Sequence, residues 1–524
     1  VYTSTHPPIT LPSNPFLDVV SHILSHKHEG EIALVDAGSG VAVSYAQLKR
    51  LIKSVASGLH HMGVSQHDVV LVLLPNSIYF PIILLAVLYL GAVVTPMNPL
   101  STFSEIKKQL VTCHASMAFI GLDKVDELNS IGVKFVVVPE HACFDSKLVE
   151  YASFYKMILS DDEFVANRTV RQDDTAAIMY SSGTTGSSKG VVLSHRNLIC
   201  GVELFVRFEA SQYEFRPDKN VYLAVVPMFH IYGLVLFVLG ILSLGTKIVV
   251  MKKFSVDEMV RCVDRYGVTH FPGVPPLVTA LIKAGKGGVG ERLRSLKQVS
   301  CGAAPLSTRT IEEFVDCFPH VDFIQGYGMS ESTAVGTRGF NTRDVHNYAS
   351  AGLLAPNMQA KVVDWVTGSH LPPGKTGELW LRGPAIMKEY LNNVEATSLT
   401  IDKEGWLHTG DIVYFDQDGY LYIVDRVKEI IKYKGFQIAP ADLEDVLVSH
   451  PDILDAAVTG VRDEDAGEIP VAFVVMKPGA EASESSIIDF VFAIQTIFIM
   501  LAASHTGEKM DGSSKWVNGS SRPY

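Results

Sequence analysis

The chain has 524 residues, a length that predicts several domains or lobes in place of one compact core. Apolar residues make up 47% of it and charged residues 19%, a balance that allows a large buried core and argues against disorder. Its 44 basic and 56 acidic residues give a formal net charge of −12. This charge argues against nucleic acid as a partner, because phosphate binding needs a basic surface.

The cysteines and the chain ends bear on metal sites and on the compartment. The six cysteines show no C-x-x-C spacing and no accompanying histidine cluster, which argues against a zinc site or a disulfide framework. The first residues contain no basic stretch followed by an apolar core, and Ser521–Tyr524 is not an S-K-L address. We therefore expect a cytoplasmic or peroxisomal protein without a secretory signal in this chain.

Strand-length apolar runs alternate with helix patterns through the first part of the chain, which predicts a parallel α/β sheet. Helices are expected over Tyr45–Met62 and Val256–Tyr266. The expected strands are Val69–Leu74, Lys134–Val138, Val221–Val226, Lys247–Met251 and Gln298–Cys301.

Two longer apolar segments require a choice between a membrane span and a buried core. Tyr79–Pro96 has helix length, and Ile231–Met251 is about long enough to cross a bilayer. Gly240, Gly245 and Lys247 interrupt the second segment, and neither has the paired basic flanks and aromatic belts of a spanning helix. We predict a buried helix followed by a buried strand, and no stable membrane insertion.

The pattern changes near Gly377. Residues 377–384 and 419–426 alternate apolar and polar side chains, as half-buried antiparallel strands do. A boundary is expected at Asp425, where a strand gives way to the basic turn Lys432–Gly435. We predict an N-terminal domain over residues 1–424, a C-terminal domain over 425–491, and a partly disordered tail over 492–524.

The segment Tyr180–Gly190, which reads YSSGTTGSSKG, carries the strongest chemical signal. Its glycines let backbone N–H groups approach phosphate oxygens, its hydroxyls can donate further hydrogen bonds, and Lys189 adds a positive charge. The spacing is not that of a Walker loop. On composition alone, a flexible Gly/Ser loop is the competing interpretation.

This segment resembles the phosphate-binding signature of the adenylate-forming superfamily of acyl-CoA synthetases, luciferases and peptide-synthetase adenylation domains. Further motifs match in the family's order over residues 10–491, and they most resemble plant 4-coumarate-CoA ligases and their relatives. The matching segments are Pro227–Gly233, Gly302–Leu306, Gln325–Glu331, Tyr390 with Gly405–Asp411, and Asp425–Lys428 with Lys432–Pro440. The resemblance implies an α/β fold with a large N-terminal lobe of two layered α/β subdomains and a distorted β-barrel, followed by a small α+β lid.

The resemblance also implies the residues that bind ATP and Mg²⁺. Glu331 is expected to hold Mg²⁺ against the phosphates and so to act in catalysis, and Asp411 to accept both ribose hydroxyls. Without the motif, Glu331 could be a solvated helix cap, Asp411 a turn aspartate and Arg426 a surface charge. The expected ATP-binding residues are Ser181, Ser182, Gly183, Thr184, Thr185, Gly186, Lys189, Gln325, Gly326, Tyr327, Ser330, Asp411 and Arg426.

The acyl and CoA sites follow from the same resemblance. His230 is expected near the acyl carboxylate and Lys432 near the adenylate, both as catalytic residues, although a lone histidine in such a setting is more often a core residue. The expected acyl or adenylate contacts are Tyr232, Gly302, Ala303, Gly328, Ala334, Val335, Lys428 and Gln437. The expected CoA contacts are Lys253, Lys434 and Gly435.

Some residues depart from the family pattern. Ser188 stands where proline is usual, and Ser330 replaces a threonine but keeps its hydroxyl. Ala334 stands where true hydroxycinnamate ligases often have proline, and Leu236 replaces a small polar residue. We therefore expect acids longer or more aliphatic than hydroxycinnamates.

The predicted activity is ATP-dependent conversion of a carboxylic acid to acyl-AMP and its transfer to CoA, by a protein that we expect to be a monomer. Its small-molecule partners would be the acid, ATP and CoA. Three alternatives remain open at this point: a luciferase-like mono-oxygenase, a catalytically weakened nucleotide- or acyl-binding relative, and a generic ATPase.

The end of the sequence departs most from the family. Members carry a P-x-G-K-type loop whose lysine assists adenylation, and no segment after Val491 has this pattern. The nearest is Gly512–Lys515, so Lys515 is a weak candidate for the same role. An incomplete lid and slow adenylation are the expectation, with thioester formation less affected.

Overall fold

The computed structural model describes residues 1–144, 149–160, 169–181, 188–213, 216–341, 346–427, 429–433, 436–438, 440–463, 467–480 and 482–491, with backbone alone at 432, 436, 437, 442, 463 and 467. The chain divides into two compact units. The first comprises Val1–Lys361, Trp380–His408 and Asp416–Tyr422, and the second Val362–Leu379, Thr409–Phe415 and Ile423–Tyr524.

The strands occur throughout the chain. Those of the N-terminal half are β1 Tyr2–Thr3, β2 Ile32–Asp36, β3 Ala42–Ser44, β4 Val69–Leu73, β5 Val93–Pro96, β6 Ala115–Ile120, β7 Lys134–Val137, β8 Thr175–Ser181, β9 Lys189–Ser194, β10 Val221–Ala224 and β11 Lys247–Val250. The later ones are β12 His270–Gly273, β13 Gln298–Cys301, β14 Asp322–Tyr327, β15 Thr337–Arg338, β16 Gly352–Leu354, β17 Gln359–Val363, β18 Gly377–Arg382, β19 Glu389–Tyr390, β20 Leu407–Phe415, β21 Tyr420–Arg426, β22 Ile431–Tyr433, β23 Phe436–Ile438, β24 Ile453–Asp463 and β25 Gly467–Met476.

The helices alternate with these strands. The α-helices are α1 Val19–Ser25, α2 Tyr45–His61, α3 Tyr79–Tyr89, α4 Phe103–Thr112, α5 Val125–Ile131, α6 Ala152–Ile158, α7 His195–Gly201, α8 Phe208–Ser211, α9 Ile231–Gly233, α10 Val256–Tyr266, α11 Pro275–Ala284, α12 Thr308–Cys317, α13 Val394–Thr400 and α14 Pro440–Val448. Residues 484–491 are also helical. The π-helical segments are Val202–Arg207, Leu234–Ile241 and Gly285–Val289, and the 3₁₀ turns are Leu122–Lys124, Val149–Tyr151, Pro217–Lys219, Gly290–Leu293 and Ser330–Ser332.

The larger sheet of the first unit supports the parallel-sheet prediction. Its strands lie in the order β16, β15, β14, β13, β12, β10, β11, β2 and β3, and those from β14 to β2 are parallel. Phe271, Val299 and Phe323 are buried on it, in the core that helices cover. Gly273, Cys301 and Gln325 are in register, so these strands end at one edge. Ligand sites in parallel sheets form at such carboxyl ends.

A second sheet of the first unit carries the Gly/Ser segment. Its order is β19, β9, β8, β5, β4, β6 and β7. The strands β4 to β8 are parallel to their neighbours, whereas β8 and β9 form an antiparallel hairpin in which Ser181 faces Lys189. The short strand β19 pairs with β9, with Tyr390 opposite Val191. The two ends of the predicted phosphate loop are therefore fixed by a strand pair.

Both long apolar segments are buried, as the sequence predicts. Tyr79–Pro96 forms the buried helix α3 and the buried strand β5. In Ile231–Met251, the buried π-helical segment Leu234–Ile241 precedes β11. Among the residues that the structure describes, no helix has the length and apolar character needed to cross a membrane.

The second unit contains a sheet in the order β23, β22, β25 and β24, all antiparallel. Leu443 and Leu447 of α14 pack with Ile453, Val458 and other residues of this sheet in a small core. Strands β22 and β23 flank positions 434 and 435, so the predicted basic turn joins two paired strands. The mixed α/β class with a large N-terminal part is confirmed, whereas the β-barrel, the domain limits and the incomplete lid remain predictions.

Candidate active site

The clearest site feature is a buried carboxylate next to the end of β8, where the loop of the β8–β9 hairpin begins. Glu331 is 5% exposed, and its Oε1 accepts hydrogen bonds from the Ser181 hydroxyl at 3.1 Å and the Tyr390 hydroxyl at 2.8 Å. Burial and the adjacent carboxylate raise the pKa of Tyr390, so the phenol remains a donor at neutral pH. The Lys189 ammonium lies 4.8 Å from the centroid of the Tyr390 ring. A negative and a positive group thus lie where β8 ends and β9 begins, on either side of the loop between them.

The backbone explains why these side chains meet. Glu331 lies on the 3₁₀ turn Ser330–Ser332, and its carbonyl accepts a 2.8 Å hydrogen bond from the Met387 N–H. The Thr333 hydroxyl donates to the Ala385 carbonyl at 2.7 Å. The segment that leads into β19 is thereby tied to the Glu331 turn on one side. Pairing of β19 with β9 ties it to the hairpin on the other.

The predicted acyl-wall residues lie at the carboxyl ends of β13 and β14. Gly302 and Ala303 follow β13, and Gly328 follows β14. A Cβ on Gly328 would lie 2.5 Å from the Ala334 carbonyl oxygen, so only glycine permits this close approach. Thr333 and Ala334 have φ values of 54° and 60°, a left-handed pair that folds the loop back onto Gly328. Proline fixes φ at about −65°, so it cannot adopt the positive φ found at Ala334.

The other wall of the expected acyl site contains an ion pair that the sequence did not reveal. Tyr232 stacks on Phe205 at 6.5 Å, and its hydroxyl lies 3.4 Å from the Ser300 hydroxyl. Beneath them the Arg338 guanidinium lies 5.0 Å from the Phe205 centroid and donates to the buried Glu209 carboxylate. Burial alone would lower the pKa of Arg338, but Glu209 outweighs it and raises the pKa above its usual range.

Three more predicted residues lie at or near the ends of the parallel strands. His230 follows β10, where its side chain reaches solvent and its ring centroid is 4.7 Å from that of Phe229. Protein atoms around the ring lower the pKa of His230, which favours the neutral imidazole. Lys253 follows β11 and is exposed. Gln325 lies on β14, and its Nε2 donates a 2.8 Å hydrogen bond to the Tyr348 carbonyl.

The predicted ribose residues form a pair of their own in the second unit. Asp411 is 7% exposed, and its Oδ1 accepts a 3.2 Å hydrogen bond from Arg426 Nε. The Val427 N–H donates to the Gly410 carbonyl at 2.8 Å, which joins β20 to the end of β21. An ionised carboxylate has acceptor positions for more than one donor, so Asp411 is chemically suited to hydroxyl groups.

Several predicted residues cannot be assigned a contact. The predictions that lie outside the described residues are Ser182, Gly183, Thr184, Thr185, Gly186, Lys428, Lys434, Gly435 and the tail with Lys515. Lys432 and Gln437 lie opposite each other on β22 and β23, with only their backbone described.

The residues around Glu331 fit the groups that the resemblance implies. A carboxylate is a hard oxygen ligand of the kind that Mg²⁺ prefers, and two hydroxyl donors orient this one. Lys189 supplies positive charge for phosphate beside it. Sequence reasoning named Glu331, Ser181 and Lys189 but put Tyr390 with the ribose-binding stretch. Its pairing with Glu331 depends on a strand contact that local sequence does not encode.

Comparison with known proteins agrees with this geometry. The family model described as AMP-binding enzyme matches residues 24–391, and that of the AMP-binding enzyme C-terminal domain matches residues 442–497. The chain is 58% identical to 4-coumarate–CoA ligase-like 6 of Arabidopsis thaliana over 94% of this chain and 87% of the relative. It is 43% identical to Peroxisomal OPC-8:0-CoA ligase 1 of the same plant, over 94% and 89%.

A solved structure shares the fold across nearly the whole chain. ATP-bound MatB from Rhodopseudomonas palustris superposes with a TM-score of 0.84 at 25% identity, covering 97% of this chain and 95% of MatB. The mono-oxygenase, weakened-binder and generic ATPase alternatives gain no support from these relatives. The chain belongs to the AMP-binding enzyme family, as a 4-coumarate–CoA ligase-like member of its AMP-forming acyl-CoA ligases.

Proposed function

We propose that this acyl-CoA ligase forms acyl-AMP around Glu331 and then transfers the acyl group to CoA. The observation that carries the proposal is the buried Glu331 carboxylate, held by Tyr390 and by Ser181, which ends β8 opposite Lys189 at the start of β9. A carboxylate that is buried costs free energy unless it is hydrogen-bonded. Its retention beside a phosphate-type loop is best explained by a cation that accompanies ATP.

In the first half-reaction, a carboxylate oxygen attacks the α-phosphorus of ATP, and pyrophosphate leaves as the new oxygen–phosphorus bond forms. Two anions must approach each other, so the barrier is largely electrostatic. Glu331 would hold Mg²⁺, which neutralises phosphate charge when bound. Lys189 adds a second positive charge, and the hairpin's backbone N–H groups and hydroxyls would hold the phosphate oxygens. His230, kept neutral, lies at a strand end suited to orienting the acid.

The nucleotide's ribose is assigned to the second unit. Asp411 would accept the ribose hydroxyls, and Arg426 holds its Oδ1 in place. Gln325, Gly326, Tyr327 and Ser330 would contact the rest of the nucleotide from β14 and the turn after it.

In the second half-reaction, the CoA thiolate attacks the acyl carbonyl, and AMP leaves with the electron pair of the broken carbon–oxygen bond. Lys253, Lys434 and Gly435 are the proposed CoA contacts, and Lys428 and Lys432 the proposed adenylate contacts. Residues 425–491 are the proposed lid domain, with rotation about Lys428 between the two steps. That the tail over 492–524 slows adenylation remains a prediction.

The acid is proposed to be longer or more aliphatic than a hydroxycinnamate. Leu236 is buried at 2% exposure, and the hydroxyl of Tyr232 on the expected acyl wall already lies near that of Ser300. A ring hydroxyl that reached apolar atoms would lose its hydrogen bonds to water, at a cost of about 1–3 kcal/mol. Such a cost favours acids whose far end is apolar.

The test is a CoA-ligase assay with cinnamic, benzoic, medium-chain and long-chain acids, in which pyrophosphate, AMP and acyl-CoA are measured separately. Acid-dependent release of pyrophosphate together with acyl-CoA is the expected result. Glu331→Gln should abolish most pyrophosphate release, whereas exposed Glu404→Gln, on the same unit, should not. Phosphate release that needs no acid would contradict the proposal.

We propose a monomer in the cytoplasm or the peroxisome, the compartment that the name of one relative specifies for that relative. Sedimentation and a fluorescent fusion imaged against a peroxisomal marker test the two statements.

A further inference from the structure

A cluster of two histidines and a carboxylate lies between α1 and the π-helical segment Val202–Arg207. His22 lies on α1, His26 ends that helix, and Glu203 lies on the π-helical segment Val202–Arg207. The two histidines are four residues apart, a spacing that puts both on one helix face. Their ligand atoms and one Glu203 oxygen lie within 4.8 Å of one another.

The distances match a metal-binding triangle. Glu203 Oε1 is 2.8 Å from His22 Nε2 and 3.4 Å from His26 Nε2, and the two Nε2 atoms are 3.4 Å apart. The circle through the three atoms has a radius of about 1.9 Å, slightly less than the ~2.0–2.1 Å of a zinc–nitrogen or zinc–oxygen bond. An ion just above their plane can therefore reach all three without any shift of the backbone.

The surroundings are those of a built site. The side chains of His22, Glu203 and His26 are 8%, 16% and 21% exposed, so the cluster is largely shielded but retains some contact with solvent. One oxygen of the Glu203 carboxylate lies within ion-pair distance of both histidines. Arg207 Nε lies 3.3 Å from the same carboxylate oxygen, and its Nη1 donates to the Ser243 carbonyl at 3.1 Å. The Arg207 guanidinium orients the Glu203 carboxylate. Its positive charge also repels a bound cation, which lowers the expected metal affinity.

We propose that His22, His26 and Glu203 form a three-ligand site for Zn²⁺ that ties α1 to the segment Val202–Arg207. Two imidazoles and one carboxylate suit zinc and its neighbours Co²⁺, Ni²⁺ and Cu²⁺, whereas Mg²⁺ and Ca²⁺ prefer oxygen ligands throughout. Water or a small anion would take the fourth position of a tetrahedral ion. This site shares no residue with the cluster of Glu331, Ser181 and Tyr390, and it would stabilise α1 whether or not the ligase turns over.

The experiment titrates Zn²⁺ alone into chelator-treated full-length protein without ATP, with calorimetry and thermal unfolding as readouts. The wild type should bind one equivalent and unfold at a higher temperature with Zn²⁺. His26→Ala and the isosteric Glu203→Gln should each weaken binding more than tenfold and remove the temperature rise. The control His60→Ala with His61→Ala removes two exposed histidines elsewhere on the same unit and should change neither.

The ligand atoms are checked by X-ray absorption at the zinc edge. Nitrogen and oxygen neighbours at ~2.0–2.1 Å are expected, whereas a sulfur shell at ~2.3 Å would assign the ion to a cysteine and overturn the proposal. Unsaturable binding, or an unchanged affinity in both His26→Ala and Glu203→Gln, would overturn it as well. If His26→Ala does not fold, Glu203→Gln alone decides, because it keeps the size of the side chain.

Discussion

Tyr390→Phe removes one hydroxyl and leaves the ring that lies beside Lys189. The lost group is the 2.8 Å donor to Glu331 Oε1, in a place where Glu331 is 5% exposed and water cannot easily replace it. A hydrogen bond to a charged group is worth about 1.5–3 kcal/mol. If that bond orients the carboxylate in the transition state, adenylation should slow by about 10- to 150-fold.

The assay is pyrophosphate release with saturating acid at several Mg²⁺ concentrations. Tyr390→Phe should lower kcat and raise the Mg²⁺ concentration needed for half-maximal rate, because Glu331 keeps only the Ser181 donor among the contacts described. The loss of adenylation rate in the double variant Ser181→Ala with Tyr390→Phe should differ from the sum of the two single losses, expressed as free energies. Non-additivity is expected because both hydroxyls donate to one oxygen.

The matched control is Tyr45→Phe. Tyr45 is also buried, and its hydroxyl donates at 2.8 Å to the neutral Thr246 carbonyl on the same unit. This variant should lose about 0.5–1.5 kcal/mol of stability and keep its adenylation rate. Adenylation by Tyr390→Phe within twofold of the wild type, with unchanged Mg²⁺ dependence, would refute the role given to Glu331 and its donors.

Three further predictions address separate parts of the molecule. Asp411→Ala should raise the ATP dissociation constant by at least about tenfold while the protein stays folded, since each charged hydrogen bond is worth ~1.5–3 kcal/mol; an unchanged affinity by calorimetry rules the ribose role out. Medium- and long-chain acids should exceed 4-coumarate in kcat/KM, and 4-coumarate as the best substrate would show the acyl-wall argument to be wrong. Burial lowers the pKa of His270 from 6.5 to about 3, so the unfolded chain binds a proton that the folded protein does not, and stability falls as pH drops below 6.5. His270→Gln should therefore lose about 2 kcal/mol less than the wild type between pH 7 and pH 5 in urea unfolding, and equal losses would contradict the assignment.

Much of the fold could be predicted because its elements are set by local pattern. The predicted helix Val256–Tyr266 has those limits in the structure, and its N-cap Ser255 and the left-handed Gly267 after it are both readable from sequence. Val69–Leu74 was recognisable because fully buried parallel strands are continuous apolar runs. Motifs then located Ser181, Lys189 and Glu331 on or beside such elements.

The unpredicted features depend on contacts between distant parts of the chain. Glu209 and Arg338 are 129 positions apart, and nothing near either residue indicates a buried partner. Thr333 has a left-handed backbone conformation, which β-branched residues rarely adopt. The hydrogen bond from its hydroxyl to the Ala385 carbonyl helps to hold it there. His22 and His26 had a helical spacing that was visible in sequence. Their third partner, Glu203, lies 181 positions from His22, so the cluster could not be recognised.

The surroundings of Glu331 show how one carboxylate can be buried and still serve a cation. Both described donors are neutral hydroxyls, which satisfy Oε1 without cancelling its charge. An arginine or lysine in the same place would have made a closed ion pair, as Arg338 does with Glu209 on the acyl wall. Lys189 contacts the face of the Tyr390 ring, and its charge is therefore available to a phosphate. The contrast between the two carboxylates supports the proposal that Glu331 binds a ligand, whereas Glu209 closes an ion pair with Arg338.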